Sequence, residues 1–528
     1  MHPPDEATAE NVEAMTLAAF RLRALSLFER LVDALVDPAR RERVMATLLV
    51  GYALVWSLYG VLAKGSQDVH VDMGEMLAWS REPALGTPKH PPLAAWLVGF
   101  WFSVMPRTDW TYYLLAMIMP ALALWIAWRL SADYLEPEKR VAGIALLTLL
   151  PFMNFHAMKY NANTILLPLW AATSCCFLRS FERRHLGWAA LAGLGTAAAM
   201  LGKYWSICLV AGLGIATLAD SRRGAYFRSS APWISIAVGT VLLAPHLVWL
   251  FQRDFGAITY VAEMRHQPFY RVLLSTLLFF ISFAGYIAPA VMGALLAARP
   301  SIDALRDTIF PGSPARRLVN AAFSAPILVA AMIVILLRIE ITALWMIPAA
   351  TLLPIVLLSS ALLVVPRSAI VRLLAVASAL PLLLLVGAPG IAMVIHRHGL
   401  PRHADHYRML ADALETFWRA HTDNPLAIIG GDDNLANGVL FYVSGRPVAY
   451  YIAAPGLSPW VDEARIAREG IALVCPLEEG TCVDALKKRS AAAGVAPTEI
   501  TLMRKYLGVP GRSARYVISI IPPRSTTE

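Results

Sequence analysis

Carboxylates and cations recur in the short polar stretches of this chain, in combinations that suit group transfer. Asp68, Asp72 and Glu75 stand close together with His70. Lys89 and His90 follow, then Lys159, Tyr160 and Asn163, then Lys203, and then Arg265. A carboxylate accompanied by several cations fits a displacement whose leaving portion is a phosphate. The acid takes the proton of an attacking hydroxyl while the cations stabilise the departing charge. The same residues also read as solvated loop charges, which contribute little. No His, Cys, Asp and Glu set has metal-ligand spacing, so a metal is not expected and the cations would neutralise the leaving group. The Gly430, Gly431, Asp432, Asp433, Asn434 turn lacks the lysine and the helix of a phosphate loop and is not expected to hold a nucleotide.

The elements that must position these residues are membrane helices. The chain has 528 residues, 57% apolar and only 16% charged, and so few charges cannot solvate so much apolar surface. Runs near the roughly 20 residues needed to cross hydrocarbon recur along it. The spacing predicts eleven spans, over residues 45–63, 112–130, 141–158, 164–178, 188–201, 204–218, 233–250, 273–296, 319–337, 341–365 and 373–395. Residues 188–218 are short for two helices and divide at Gly202, Lys203 and Tyr204. Residues 92–105 are apolar but short and rich in aromatics, with Trp96, Trp101 and Phe102, and read as an interfacial helix.

With that choice every inward loop bears arginine: Lys139 and Arg140, then Arg179, Arg183 and Arg184, then Arg222, Arg223 and Arg228, then Arg299, Arg306, Arg316 and Arg317, then Arg367 and Arg372. The net charge of +9 then reports orientation rather than a nucleic-acid partner. The N-terminal residues lack a basic n-region and are expected to stay attached and cytoplasmic. Residues 12–36 read as an amphipathic or packed cytoplasmic helix. Carboxylates and lysines then converge on the outer face.

After Ile395 the composition becomes soluble. Helix-like stretches at 405–420, 462–469 and 483–493 alternate with strand-like ones at 426–430, 447–452, 471–475 and 516–521, which predicts a small α/β domain. An odd number of spans places it outside. Cys475 and Cys482 bracket a turn in it and are disulfide candidates in an oxidising compartment. The chain thus divides into a cytoplasmic N-terminal segment (1–44), a transmembrane module (45–395, with a first outer loop at 64–111) and a periplasmic domain (396–528).

An ordered set of motifs resembles the bacterial polyprenyl-phosphate-dependent glycosyltransferases of the GT-C type, kin to protein O-mannosyltransferases and to the aminoarabinose and lipopolysaccharide-core galacturonate transferases. It comprises Asp72, Glu75, Trp79, Ser80 and Arg81; Leu85 and Gly86; Lys89, His90, Pro91, Pro92 and Leu93; Lys159 to Asn163; Leu201 to Tyr204; Ala244 to Trp249; Leu344 to Pro348; and Phe441, Tyr442, Arg446 and Pro447. The resemblance implies that Asp72 is the catalytic base, with Asp68 or Glu75 as substitutes because Met73 stands where the family commonly has a second acid. It implies that Lys89, His90, Lys203 and Arg265 meet the lipid phosphate, and that Lys159, Tyr160 and Asn163 meet sugar or acceptor. The fold implied is an α-helical polytopic membrane protein with a small C-terminal α/β domain. The function implied is transfer of a sugar, with inversion, from a polyprenyl-phosphate carrier to lipid A, lipopolysaccharide core or another envelope glycolipid at the periplasmic face of the inner membrane, by a monomer. The rival readings are a lipid or solute transporter or flippase, a protein O-mannosyltransferase and an envelope scaffold.

Overall fold

A computed structural model describes residues 25–82, 84–259, 266–399 and 406–524. Arg265 and most of the segment 12–36 lie outside the described residues. Residues 25–36 form helix α1. It is followed by α2 (Arg41–Ala63), α3 (Val71–Arg81), α4 (Leu93–Val104) and α5 (Asp109–Ser131). Then come α6 (Pro137–Thr148), α7 (Leu166–Arg183), α8 (Leu186–Gly202), α9 (Ile207–Ala219), α10 (Arg223–Phe227) and α11 (Ala231–Gln252). The helical part closes with α12 (Phe269–Ala298), α13 (Ile302–Ile309), α14 (Pro314–Leu337), α15 (Leu353–Leu358) and α16 (Arg367–His398).

Among the described residues, six helices are long and apolar enough to cross a membrane: α2, α5, α11, α12, α14 and α16. Helix α2 shows why they belong in lipid. Leu49 and Trp56 are buried while Val50, Leu54 and Leu58 are exposed, so the helix is apolar all round, as a membrane-facing helix must be.

Two expected spans are not continuous helices. Residues 141–158 stay helical only to Thr148 and then turn through Pro151–Met153. Residues 341–365 form tight turns at Ala343–Trp345 and Ile347–Leu352 before the short α15. Pro151 and Pro348 cannot donate the hydrogen bond a continuing helix needs. Met346, Ala350 and Leu352 are buried, and irregular backbone at membrane depth is tolerated where protein covers it. Helix α4 has 12 residues with Phe100 and Val104 exposed, too short to span and consistent with an interfacial helix.

The C-terminal part contains α17 (Tyr407–His421), β1 (Ile428–Gly431), α18 (Asp433–Tyr442), β2 (Val448–Tyr451), α19 (Glu463–Glu469), β3 (Ile471–Pro476), α20 (Gly480–Ala492), β4 (Thr498–Tyr506) and β5 (Val509–Ile521). The sheet order is β2-β1-β3-β5-β4, with β1 parallel to β2 and β3, and β5 antiparallel to β3 and β4. Cys475 and Cys482 form a disulfide from the end of β3 into α20, with Cα atoms 5.8 Å apart. Helix α18 and strand β4 lie outside the sequence expectation. The stretch Gly430–Asn434, expected to lack a helix, joins the end of β1 to the start of α18, where the Asp432 side chain accepts from Leu435 N at 3.0 Å, an N-cap that precedes apolar Leu435, Val439 and Leu440.

This sheet domain is joined closely to α3. A Cβ on Gly74 would meet the Asn437 carbonyl oxygen at 2.6 Å, so the absence of a side chain lets α3 and α18 touch backbone to backbone. Phe441 stacks on Tyr112 with ring centres 5.6 Å apart, and the Tyr112 hydroxyl donates to Met73 O at 2.6 Å.

Candidate active site

Helix α3 starts at Val71, one residue before Asp72. His70 is its N-cap, its Nδ1 accepting from Asp72 N at 3.1 Å, and Asp72 stands in the first helical turn, where the helix dipole favours a negative charge. Asp72 Oδ2 accepts from Asn161 Nδ2 at 2.9 Å and lies 3.3 Å from Lys159 Nζ. Burial by itself raises the Asp72 pKa. His70, the charge of Lys159 and the Asn161 hydrogen bond outweigh burial and hold the carboxyl well below its usual range. His70 Nδ1 either accepts from the Asp72 amide or, protonated, faces Asp72 Oδ1 at 3.4 Å; Lys159 and Asn161 favour the carboxylate in both states.

The loop before α7 supplies those partners. Asn161 Oδ1 accepts from Asn163 N at 2.8 Å and Thr164 N at 3.2 Å, an Asx turn that commits the oxygen to the backbone. The amide nitrogen therefore faces Asp72. Asn163 turns the other way and accepts from Lys203 Nζ at 2.5 Å. Lys203 lies at the break between α8 and α9, in extended backbone, and its ammonium stands over the Trp345 ring at 4.6 Å. The interruption in residues 188–218 thus presents a cation, and the broken segment after α14 presents the ring it rests on.

One turn along α3, Glu75 pairs with Lys89 at 2.7 Å. Burial raises the Glu75 pKa, with Asp72 and Asp433 adding to it and Lys89 opposing. The Trp79 ring lies 6.0 Å from Lys89 Nζ and meets the His90 ring edge-on at 5.7 Å. Burial, then Lys203 and Lys89, push His90 down to about 3. His90 is accordingly a neutral imidazole, able to donate one N–H without carrying charge.

Two candidates from the sequence are held elsewhere. Asp68 is buried against Arg504 at 2.6 Å and accepts from Arg408 N at 3.0 Å, so it ties the first loop to the C-terminal domain. Tyr160 is fully buried, and its hydroxyl donates to Ala94 O at 3.1 Å, behind the site rather than in it. Asn161 was not singled out from sequence; its place between Lys159 and Asn163, followed by Thr164, is the local signal for an Asx turn. Among the described residues no three His, Cys, Asp or Glu side chains gather as a metal site.

A cleft of about 500 Å³ opens beside Trp79, Gly86 and Thr87 and is walled by Trp249 of α11, by Arg253 just after that helix and by Trp460 of the C-terminal domain. A Cβ on Gly86 would lie 2.3 Å from the Trp249 ring, so a glycine is needed for that wall to close. Lys89 and His90 directly follow the residues lining this cleft.

Comparison with known proteins shows what this chain is similar to. The model of the dolichyl-phosphate-mannose-protein mannosyltransferase family matches residues 89–249. The crystal structure of ArnT from Cupriavidus metallidurans bound to undecaprenyl phosphate superposes with a TM-score of 0.59, covering 90% of this chain and 97% of that one at 15% identity. The chain has a GT-C type glycosyltransferase fold. The apo structure of the same ArnT gives 0.56 at 13% identity. This GT-C chain is also 26% identical to a lipopolysaccharide core galacturonosyltransferase of Rhizobium johnstonii over 418 residues, 76% of this chain and 81% of the relative. It is 26% identical to a lipid A galacturonosyltransferase of the same organism over 254 residues, 48% of this chain. That match spans about half of the relative, 53% of its length. The family match from 89 to 249 contains Lys89, His90, Lys159, Asn161, Asn163 and Lys203 of the candidate site, while Asp72 lies before it.

Proposed function

We propose that this chain transfers a sugar from a polyprenyl-phosphate carrier to a lipid A, lipopolysaccharide-core or related envelope glycolipid, with galacturonate the leading candidate for the sugar. The observation that carries this reading is Asp72: an ionised carboxylate fixed by Asn161 and Lys159, with Lys203 tied through Asn163 to the same short loop. The two galacturonosyltransferase relatives support the glycolipid acceptor, and the ArnT fold supports the carrier.

Asp72 accepts the proton of the acceptor hydroxyl as its oxygen attacks the anomeric carbon. The bond from that carbon to the phosphate oxygen breaks in the same displacement, which inverts the anomeric centre. Lys203 and Lys89 stabilise the charge gathering on the leaving phosphate, and His90 donates to it as a neutral imidazole. The aromatic cleft between Trp79, Trp249 and Trp460 gives the acceptor saccharide its room, which assigns the C-terminal domain a part in acceptor binding.

In this reading the protein is a monomer of the inner membrane with the N-terminus cytoplasmic. Arginines gather at the ends of α2, α5 and α7 opposite Asp72, as the positive-inside bias favours, and the Cys475–Cys482 disulfide suits the periplasm.

The test is mass spectrometry of envelope glycolipids and glycoproteins from wild-type, deletion and Asp72→Asn cells. The expected result is a glycolipid that loses one sugar residue in both altered strains. A sugar lost from glycoproteins instead would assign protein O-mannosylation. Unchanged profiles on deletion would remove the transferase reading.

A further inference from the structure

At the end of the helices opposite Asp72, α2, α5, α7 and α8 enclose a second cavity of about 460 Å³. Arg41, Arg129, Arg179 and Arg183 line it, against two carboxylates, Glu42 and Asp133. Asp133 is taken by Arg179 at 2.8 Å and Arg183 at 2.9 Å. Glu42 is shared more thinly. It lies 3.6 Å from Arg41, 3.7 Å from Arg129 and 3.7 Å from the buried Arg140, beyond hydrogen-bond reach of each, while Trp128 Nε1 donates to it at 3.1 Å. Arg41 Nε, in the cavity wall, is buried with no acceptor, as is Arg140 Nε outside the lining residues.

Such an excess of guanidinium around too few carboxylates is unfavourable unless an anion completes it, because a buried donor without a partner forfeits its hydration. The positive-inside bias accounts for arginines in loops but not for the convergence of four on one cavity, one of them with an unmet donor. The cavity also sits at a membrane edge. Trp188 lines it beneath Arg179, 4.8 Å from the guanidinium, and Leu186, Leu191 and Leu194 of the same helix expose apolar surface beside it.

We propose that this cavity binds an anionic phospholipid, with the phosphodiester among Arg41, Arg129 and Arg183 and the acyl chains along the exposed leucines of α8. Basic pockets between membrane helices are where anionic headgroups are recognised, and the planar guanidinium fork suits phosphate oxygens.

The experiment is native mass spectrometry of the full chain released from micelles containing phosphatidylglycerol or phosphatidylcholine of equal chain length. Phosphatidylglycerol is expected to be retained preferentially. Arg183→Gln, at a half-exposed side chain whose loss leaves Arg179 on Asp133, lowers that preference about fivefold, and adding Arg129→Gln lowers it further. Arg306→Gln, at an exposed residue paired with Asp303, leaves it unchanged. Equal retention of the two lipids, or an equal loss in Arg306→Gln, overturns the proposal. Displacement of the lipid by millimolar inorganic phosphate also overturns it, assigning the cavity to a free anion. Asp72→Asn retains the lipid, so failure here is separate from failure of the transferase reading.

Discussion

Asn161 gives its side-chain nitrogen to Asp72 Oδ2 at 2.9 Å and keeps its side-chain oxygen for the backbone nitrogens of Asn163 and Thr164. An amide has one acceptor end and one donor end, so the turn that engages the oxygen also decides that Asp72 receives a donor. The base proposed here is held in place by a residue that cannot itself act as one.

Asn161→Ala is expected to lower kcat roughly ten- to hundredfold, the range for loss of one hydrogen bond to a charged group. Asn161→Asp lowers it further, because a second carboxylate then faces Asp72. Steady-state transfer assays with purified protein and a polyprenyl-phosphate sugar check both. A wild-type rate in Asn161→Ala would mean that Asp72 is not positioned from this loop.

The pH profile has a defined sign. The Asp72 pKa is lowered despite burial, so the carboxylate persists as pH falls through the ordinary carboxylate range, and the acid limb of kcat/KM due to Asp72 lies below that range. The stability that Asp72 contributes is likewise present above its unfolded pKa and lost as pH falls toward the folded value. Lys159→Met removes a positive charge 3.3 Å away, so the acid limb moves to higher pH. A limb that stays where it was would assign the base to another group.

In the proposed mechanism Lys203 supplies charge to the leaving phosphate. Lys203→Met is expected to cut kcat about a hundredfold, as removal of a group that stabilises developing negative charge does, and Lys203→Arg to recover part of it. Trp345→Leu removes the ring under the ammonium and has a smaller effect in the same direction. Donor titrations that separate kcat from KM distinguish this from simple loss of carrier binding.

Asp68 should behave differently from Asp72. Asp68→Asn leaves Arg504 without its carboxylate in a buried setting, and destabilisation of about 3 kcal/mol is expected from breaking such a pair. Thermal melts in detergent should fall, while the protein that remains folded keeps kcat within a few fold of wild type. A collapse of kcat with an unchanged melt would return Asp68 to the chemistry.

Phe441 and Tyr442 illustrate what a motif does before its place is known. They stand far along the chain from Asp72, yet Phe441 stacks on Tyr112, and the Tyr442 hydroxyl accepts from Val69 N at 2.9 Å and donates to Asp109 at 3.1 Å. Their conjunction with the first loop is structural support for α3. Nothing local in the sequence expresses it, because the pairing is made by rings and backbone atoms from separate elements.

The sequence by itself determined the class of molecule. Long apolar runs dictate membrane helices, arginine-bearing loops mark one end of them, and an alternating soluble tail dictates a small α/β domain, because hydropathy and periodicity act locally and leave their record in consecutive residues. It also singled out Asp72, Lys89, His90 and Lys203 by residue type and order. The tertiary structure decided which partners each acid receives. Asp68 and Asp72 are alike in sequence, but Arg504 and Arg408 hold the first while Asn161 and Lys159 hold the second. Tyr160 turned inward for the same kind of reason, its hydroxyl taken by Ala94 O. Partners such as these come from distant stretches of chain, and a charge acquires its role from the atoms that surround it after folding.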